Sequence, residues 1–138
     1  MNADSDLLDS RQAMRLLAGM TTGRVIYTAE ALPAVLPVRF RLAEDGSVLL
    51  DAHPSADLVR AAEGGVIAFE TGEIDQSDGN GWSVTLLGRA DVITGGDGHV
   101  RTGSPDTAVT AGRTVIRMYP ELVSGRRFGA LPEGAGEP

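Results

Sequence analysis

The chain has 138 residues, a length that fits one domain with a full hydrophobic core. It contains no cysteine, which excludes disulfides, iron–sulfur clusters and thiolate zinc sites, and its two histidines are too few to favour a histidine-based metal site. The net charge of −7 argues against a nucleic-acid partner. No apolar run is long enough to cross a membrane, so we expect a cytoplasmic protein.

The first third of the chain is predicted to form a helix followed by two strands. Asp9 or Ser10 can cap a helix whose apolar positions recur with helical spacing. These positions are Ala13, Leu16, Leu17 and Met20. Arg24–Thr28 is rich in β-branched and aromatic residues, which favours a strand, and Leu32–Leu42 is the next strand.

The strand Leu32–Leu42 is predicted to have two different faces, because alternate side chains point to opposite sides. One face carries the apolar residues Ala34, Leu36, Val38, Phe40 and Leu42, and the other carries Pro33, Val35, Pro37, Arg39 and Arg41. Pro33 and Pro37 lack N–H groups on the same edge, so that edge cannot be fully paired. Its carbonyl groups are then free for a ligand or a second chain. An ordinary edge strand with two solvated arginines explains the same pattern.

The remaining segments predict an antiparallel sheet and one short helix. Glu44-Asp45-Gly46 is a hairpin turn into Ser47–Ala52, and Ser55 caps a helix that ends at Gly64-Gly65. Further strands are predicted at Val66–Glu70, Trp82–Thr94 and Thr114–Met118. Thr71–Gly81 and Gly95–Gly112 are predicted to be loops, Gly88 a bulge, and Pro120 a turn before the pairing segment Glu121–Phe128.

The predicted fold class is mainly β, with six strands in an antiparallel sheet, an N-terminal helix and one short helix between strands. We favour closure of the sheet into a small barrel, with a sandwich as the alternative. Residues 1–128 are expected to form a single domain, and residues 129–138 a disordered tail.

Three short segments are candidates for a binding site. They are Pro37-Val38-Arg39-Phe40, the turn His53-Pro54-Ser55-Ala56-Asp57-Leu58, and Gly81-Trp82-Ser83-Val84. A carbonyl-rich edge with an arginine, a helix N-terminus and a tryptophan suit a flat aromatic ligand that carries a phosphate. The ring would lie on exposed backbone and the phosphate on N–H groups and arginine. A surface histidine at a strand end is an equally good interpretation of His53.

The same segments resemble those of the pyridoxamine 5'-phosphate oxidase-like, FMN-binding split-barrel family, in particular its small actinobacterial-type members. The resemblance runs from Leu16 to Phe128. It is carried by Gly23-Arg24-Val25, LPAVLPVRF, GVIAFE, GWSV followed by Gly88, and IRMYPELVSGRRF. It implies a six-stranded split barrel, a homodimer and FMN at the dimer interface. The ring contacts would be Pro37, Val38, Arg39 and Phe40, and the phosphate turn would be Ser55 to Leu58.

Two departures from the family pattern bear on function. Asp57 stands where relatives often have a lysine that meets the phosphate, and a carboxylate there repels a phosphate. Gly95–Gly112 is shorter and richer in glycine than the helix often found in relatives. Three functions are therefore open: a flavin-dependent oxidoreductase of unknown substrate, a non-catalytic protein that binds a flavin, a deazaflavin or haem, and a dimeric member without cofactor. Asp57 favours the last of these, whereas the PVRF and GWSV segments favour the first two.

Overall fold

The computed structural model describes residues 6–51, 55–94 and 114–129. Within these ranges the chain forms seven strands and two helices. They are β1 (Leu7–Leu8), α1 (Ser10–Ala18), β2 (Thr22–Ala29), β3 (Leu32–Leu42), β4 (Val48–Asp51), α2 (Ala56–Ala62), β5 (Val66–Ile74), β6 (Gly81–Thr94) and β7 (Thr114–Phe128). The predictions made for His53, for the loop Gly95–Gly112 and for the tail beyond Gly129 lie outside the described residues.

The strands form a closed antiparallel barrel. Six of them follow one another in the order β7-β4-β3-β2-β5-β6, and β6 pairs with β7 to close the ring. β1 adds a short extra strand to β7. The predicted six-stranded barrel is confirmed, and the alternative of a sandwich is wrong. Closure depends on the length of β7, since its first residues pair with β4 while its whole length pairs with β6.

Three predicted strand boundaries are wrong, each because pairing with a distant segment overrides the local signal. β2 begins at Thr22, and β5 continues through the predicted loop to Ile74, where it pairs with Gly81. β7 does not turn at Pro120 but continues to Phe128 as one strand. A proline is tolerated there because the register of β6 and β7 shifts beside Gly88, which confirms the predicted bulge.

The barrel interior is filled by apolar side chains from the inner faces of the strands and from both helices. The fully or nearly buried members include Ala13, Leu17, Val25, Phe40, Leu50, Leu58, Phe69, Val84, Leu86, Ile116 and Met118. α1 begins with the predicted cap: Asp9 accepts the Gln12 N–H at 2.8 Å, and Gln12 accepts the Asp9 N–H at 3.1 Å. Among the described residues, no helix has the length and apolar character needed to cross a membrane.

Candidate functional site

The two faces of β3 have the predicted difference in burial. Val38 is 7% exposed and Phe40 is 6% exposed, and the Phe40 ring meets that of Phe69 edge to face at 4.7 Å between centroids. Pro37 and Arg39 on the opposite face are exposed. The predicted alternation is therefore confirmed, and it leaves Arg39 at the outer surface of the barrel.

The edge of β3 that faces away from β2 is largely open. The Phe40 N–H donates to the Thr21 carbonyl at 2.9 Å. The backbone N–H and C=O groups of the even-numbered residues of β3 therefore point toward β2, and those of the odd-numbered residues point toward the opposite edge. On that other side β4 pairs only with Phe40–Leu42. In the described ranges, no strand pairs with this edge between Pro33 and Pro37. The prediction that this edge is not fully paired is confirmed for the part of the chain that the structure describes.

β4 ends beside Arg39, and α2 is the next described element. Phe40 pairs with Leu50, so the same register sets Asp51, the last residue of β4, beside Arg39. Ser55 caps α2 as predicted, since its Oγ accepts the Leu58 N–H at 3.3 Å. The register therefore places the end of β4 beside the predicted ring contact Arg39, and the predicted role of the Ser55 turn stays a prediction.

Within the turn, the predicted residues differ in exposure. Ala56 and Asp57 are exposed, whereas the Leu58 side chain is buried in the core. Asp57 accepts a hydrogen bond from the Arg60 guanidinium at 2.6 Å, one helical turn further on. A cation that sequence analysis overlooked thus compensates the carboxylate charge. The (i, i+3) spacing of Asp57 and Arg60 on a short helix is the signal that could have revealed it.

A cleft of about 230 Å³ lies beside β3 on the outer surface. It is lined by Met20, Thr22, Gly23, Arg24, Pro37, Thr71 and Gly72. Arg24 is directly opposite Pro37 in the sheet and forms an ion pair with Glu70 at 2.9 Å. Sequence analysis did not predict Thr22, Arg24 or Gly72 as site residues, because they reach Pro37 only through strand pairing.

Trp82 and Ser83 lie on the far side of the sheet from β3. Trp82 points inward and is 9% exposed within the main core, while Ser83 is half-buried on the outer face. β2 and β5 separate β6 from β3, which corresponds to about 14 Å at the usual strand spacing. One chain therefore does not bring Ser83 next to Arg39, and the predicted roles of Trp82 and Ser83 stay predictions.

A row of apolar side chains crosses the outer face of five strands. Consecutive cross-strand partners form it: Val35, Ile26, Ala68, Leu87 and Leu122. Val35 is 57% exposed and Leu122 is 63% exposed. We call this row the outer stripe. Sequence analysis did not reveal it, because its members come from five separate segments.

A second cleft, of about 350 Å³, lies where the end of α2 meets β6 and β7. Its lining residues are Gly64, Arg89, Ala90, Asp91 and Tyr119. It contains none of the residues predicted for the site. The smaller cleft beside Pro37 is therefore the one that agrees with the chemistry expected from the sequence.

Comparison with known proteins identifies the family. A family model for pyridoxamine 5'-phosphate oxidase matches residues 9–127. The chain is also 37% identical over 129 residues to Rv0080, an uncharacterized protein of Mycobacterium tuberculosis, with 88% of this chain and 84% of that protein covered.

Solved structures agree with the barrel. An FAD binding protein from Mycobacterium smegmatis superposes with a TM-score of 0.65 at 26% identity, covering 88% of this chain and 96% of that one. An FAD-binding protein from Mesorhizobium loti gives a TM-score of 0.67 at 20% identity, covering 88% and 94%. At that identity the second likeness shows the fold alone. The match of the family model to most of the chain shows that this protein belongs to the pyridoxamine 5'-phosphate oxidase family.

Proposed function

We propose that the protein binds a flavin at the open edge of β3 and uses it in an oxidation–reduction reaction. The observation that carries the proposal is the edge from Pro33 to Pro37, with which no strand of the described residues pairs, and which leads to Arg39 beside the end of β4. A relative of the chain at 26% identity, from Mycobacterium smegmatis, is an FAD binding protein, which supports a flavin as the ligand.

The groups at this edge fit a flavin. Backbone carbonyls of Pro33, Val35 and Pro37 can accept from the ring N–H, and the Val35 and Arg39 N–H groups can donate to ring carbonyls. The Arg39 guanidinium can bond a phosphate or stack on the ring. The phosphate of FMN, whose parts FAD also contains, would lie at Arg39, with the N–H groups of Ser55 and Ala56 on the side away from Arg41. The carboxylate of Asp57 is held by Arg60, which lessens its repulsion of a phosphate.

When bound, the flavin supplies the hydride or electron transfer. The chain's own part is to bind and orient it and to keep water from one side of the ring. Arg39 on β3 and Arg24, which is opposite Pro37 on β2, carry guanidinium groups that offer hydrogen-bond donors only. They can stabilise negative charge that develops on a ligand.

A homodimer is part of the proposal. Val35 belongs both to the outer stripe and to the open edge of β3, so a second copy of the chain that covered the apolar stripe would also adjoin this edge. A stable pair needs roughly 1,600 Å² of buried surface in total, which a five-strand face can provide. The partner could also supply its Ser83 to a ring bound at Arg39, because about 14 Å separates these residues within one chain.

The test is a titration of the purified protein with FMN, followed by addition of reduced nicotinamide cofactor. We expect quenching of flavin fluorescence, bleaching of the flavin absorption band by the nicotinamide, and recovery of the band in air. Binding without bleaching would leave a flavin-binding protein and remove the oxidoreductase activity. No binding of FMN or FAD would refute the proposal as a whole.

A further inference from the structure

Two arginines beyond Arg39 lie close together on the outer surface of the barrel. Arg41 is two residues from Arg39 on the same face of β3, about 7 Å along the strand. Arg117 lies on β7. Arg41 and Arg117 are each directly opposite Leu49, one on either side of β4. Arg39, Arg41 and Arg117 thus lie on the outer face of two strands, β3 and β7, which are separated by β4.

Leu49 provides an apolar floor between the two arginines. It faces outward, yet it is only 6% exposed and packs in a small cluster with Ala43, Ile93 and Val115. The stems of neighbouring arginines can lie along such a floor while their charged ends stay accessible. A ligand bound here would therefore meet two cations above a surface that excludes water from below.

Among the described residues, neither Arg41 nor Arg117 forms an ion pair with a carboxylate, and the Arg117 Nε is enclosed without a hydrogen-bond partner. An enclosed donor without an acceptor is costly, and a ligand oxygen that accepted from it would remove that cost.

Three aspartates stand near this pair. The Asp45 carboxylate accepts hydrogen bonds from the Ser47 hydroxyl at 2.6 Å and from the Ser47 N–H at 2.9 Å. These two bonds are the main reason why the pKa of Asp45 is lowered, and the Arg117 charge contributes less. Asp91 is opposite Arg117 on β6 but forms no ion pair with it in the described chain. Asp51, at the end of β4, has an interaction of its own.

We propose that Arg41 and Arg117 form a second anion subsite that receives the second phosphate of a flavin dinucleotide. The inference rests on the proposed flavin site, because Arg39 links the two. A planar guanidinium fork suits a phosphate group, and a pyrophosphate presents two phosphates in succession. The subsite distinguishes FAD from FMN, since only FAD carries the second phosphate.

The experiment measures dissociation constants for riboflavin, FMN and FAD with the wild-type protein and with Arg41→Gln and Arg117→Gln. We expect wild-type protein to bind FAD at least tenfold more tightly than FMN. Each substitution should weaken FAD about tenfold, change FMN less than twofold and leave riboflavin unchanged. Arg11→Gln, an equal loss of charge at an exposed position on α1, is the matched control and should change none of the three.

The possible failures are separable. Equal wild-type affinities for FMN and FAD, or equal losses for both ligands in the variants, would overturn the subsite while the proposed flavin site stands. Failure of the wild type to bind any of the three flavins would overturn both. Arg41→Gln decides the question if Arg117→Gln does not fold, because Arg41 is exposed and Arg117 is half-buried.

Discussion

The two faces of β3 differ in what holds their side chains. Val38 and Phe40 are fixed on the inner face by packing against the core, including the Phe69 ring. Pro37 and Arg39 on the outer face are exposed, and the strand edge beside them is open. We therefore expect the stability of the barrel to depend on the even-numbered residues of β3, and the proposed flavin binding to depend on the odd-numbered ones. A substitution on one face should change one property without the other.

The largest expected effect is on the inner face. Phe40→Ala removes a buried ring and should lower the free energy of unfolding by about 3–5 kcal/mol, measured by urea denaturation. Phe40→Leu, which keeps most of the volume, is the control and should cost much less. A loss below about 1 kcal/mol for the alanine variant would show that the two faces do not differ as described.

A substitution in the outer stripe tests whether this uncharged part of the outer face forms the dimer interface. Val35→Asp should weaken self-association by at least about 2 kcal/mol and give a monomer in light scattering, because a carboxylate would be buried in the apolar interface. Ile74→Asp makes the same change at an exposed residue at the end of β5, outside the stripe, and should leave the dimer intact. A monomeric wild-type protein at micromolar concentration would contradict the dimer itself.

Arg39→Ala addresses the ligand directly. Loss of the guanidinium should weaken flavin binding about tenfold, or about 1.4 kcal/mol, with little change in the melting temperature of the flavin-free protein. Arg11→Ala is the control for lost charge. Unchanged affinity together with a small loss of stability would instead mark Arg39 as a surface charge, and it would then be removed from the site.

The smallest effect is expected at the turn before α2. Asp57→Lys should tighten FMN binding by about 1 kcal/mol, because a repulsion is lost and a cation is gained, while the lost bond to Arg60 costs under about 1 kcal/mol of stability. Asp57→Asn separates removal of the negative charge from addition of the positive one. If neither variant changes FMN affinity at low salt, the phosphate does not lie at this turn.

Features that depend on neighbouring residues could be read from the sequence. The alternation along Leu32–Leu42, the caps at Asp9 and Ser55 and the bulge at Gly88 all agree with the structure. The alternation follows from the two-residue period of a strand, and each cap follows from a side chain that reaches an N–H group three residues further on. The bulge follows from the absence of a Cβ at Gly88. Such signals act within a few residues, so the order of residues alone determines them.

Tertiary structure decided the rest, because strand pairing joins segments that are far apart in the chain. The polar stretch after Glu70 became part of β5 only because Gly81 and its neighbours pair with it, and Pro120 remained within β7 only because β6 shifts register there. The same pairing assembled the outer stripe and set Arg117 beside Leu49. A local pattern does not reveal which strands become neighbours, and strand pairing determines which outward residues share one surface.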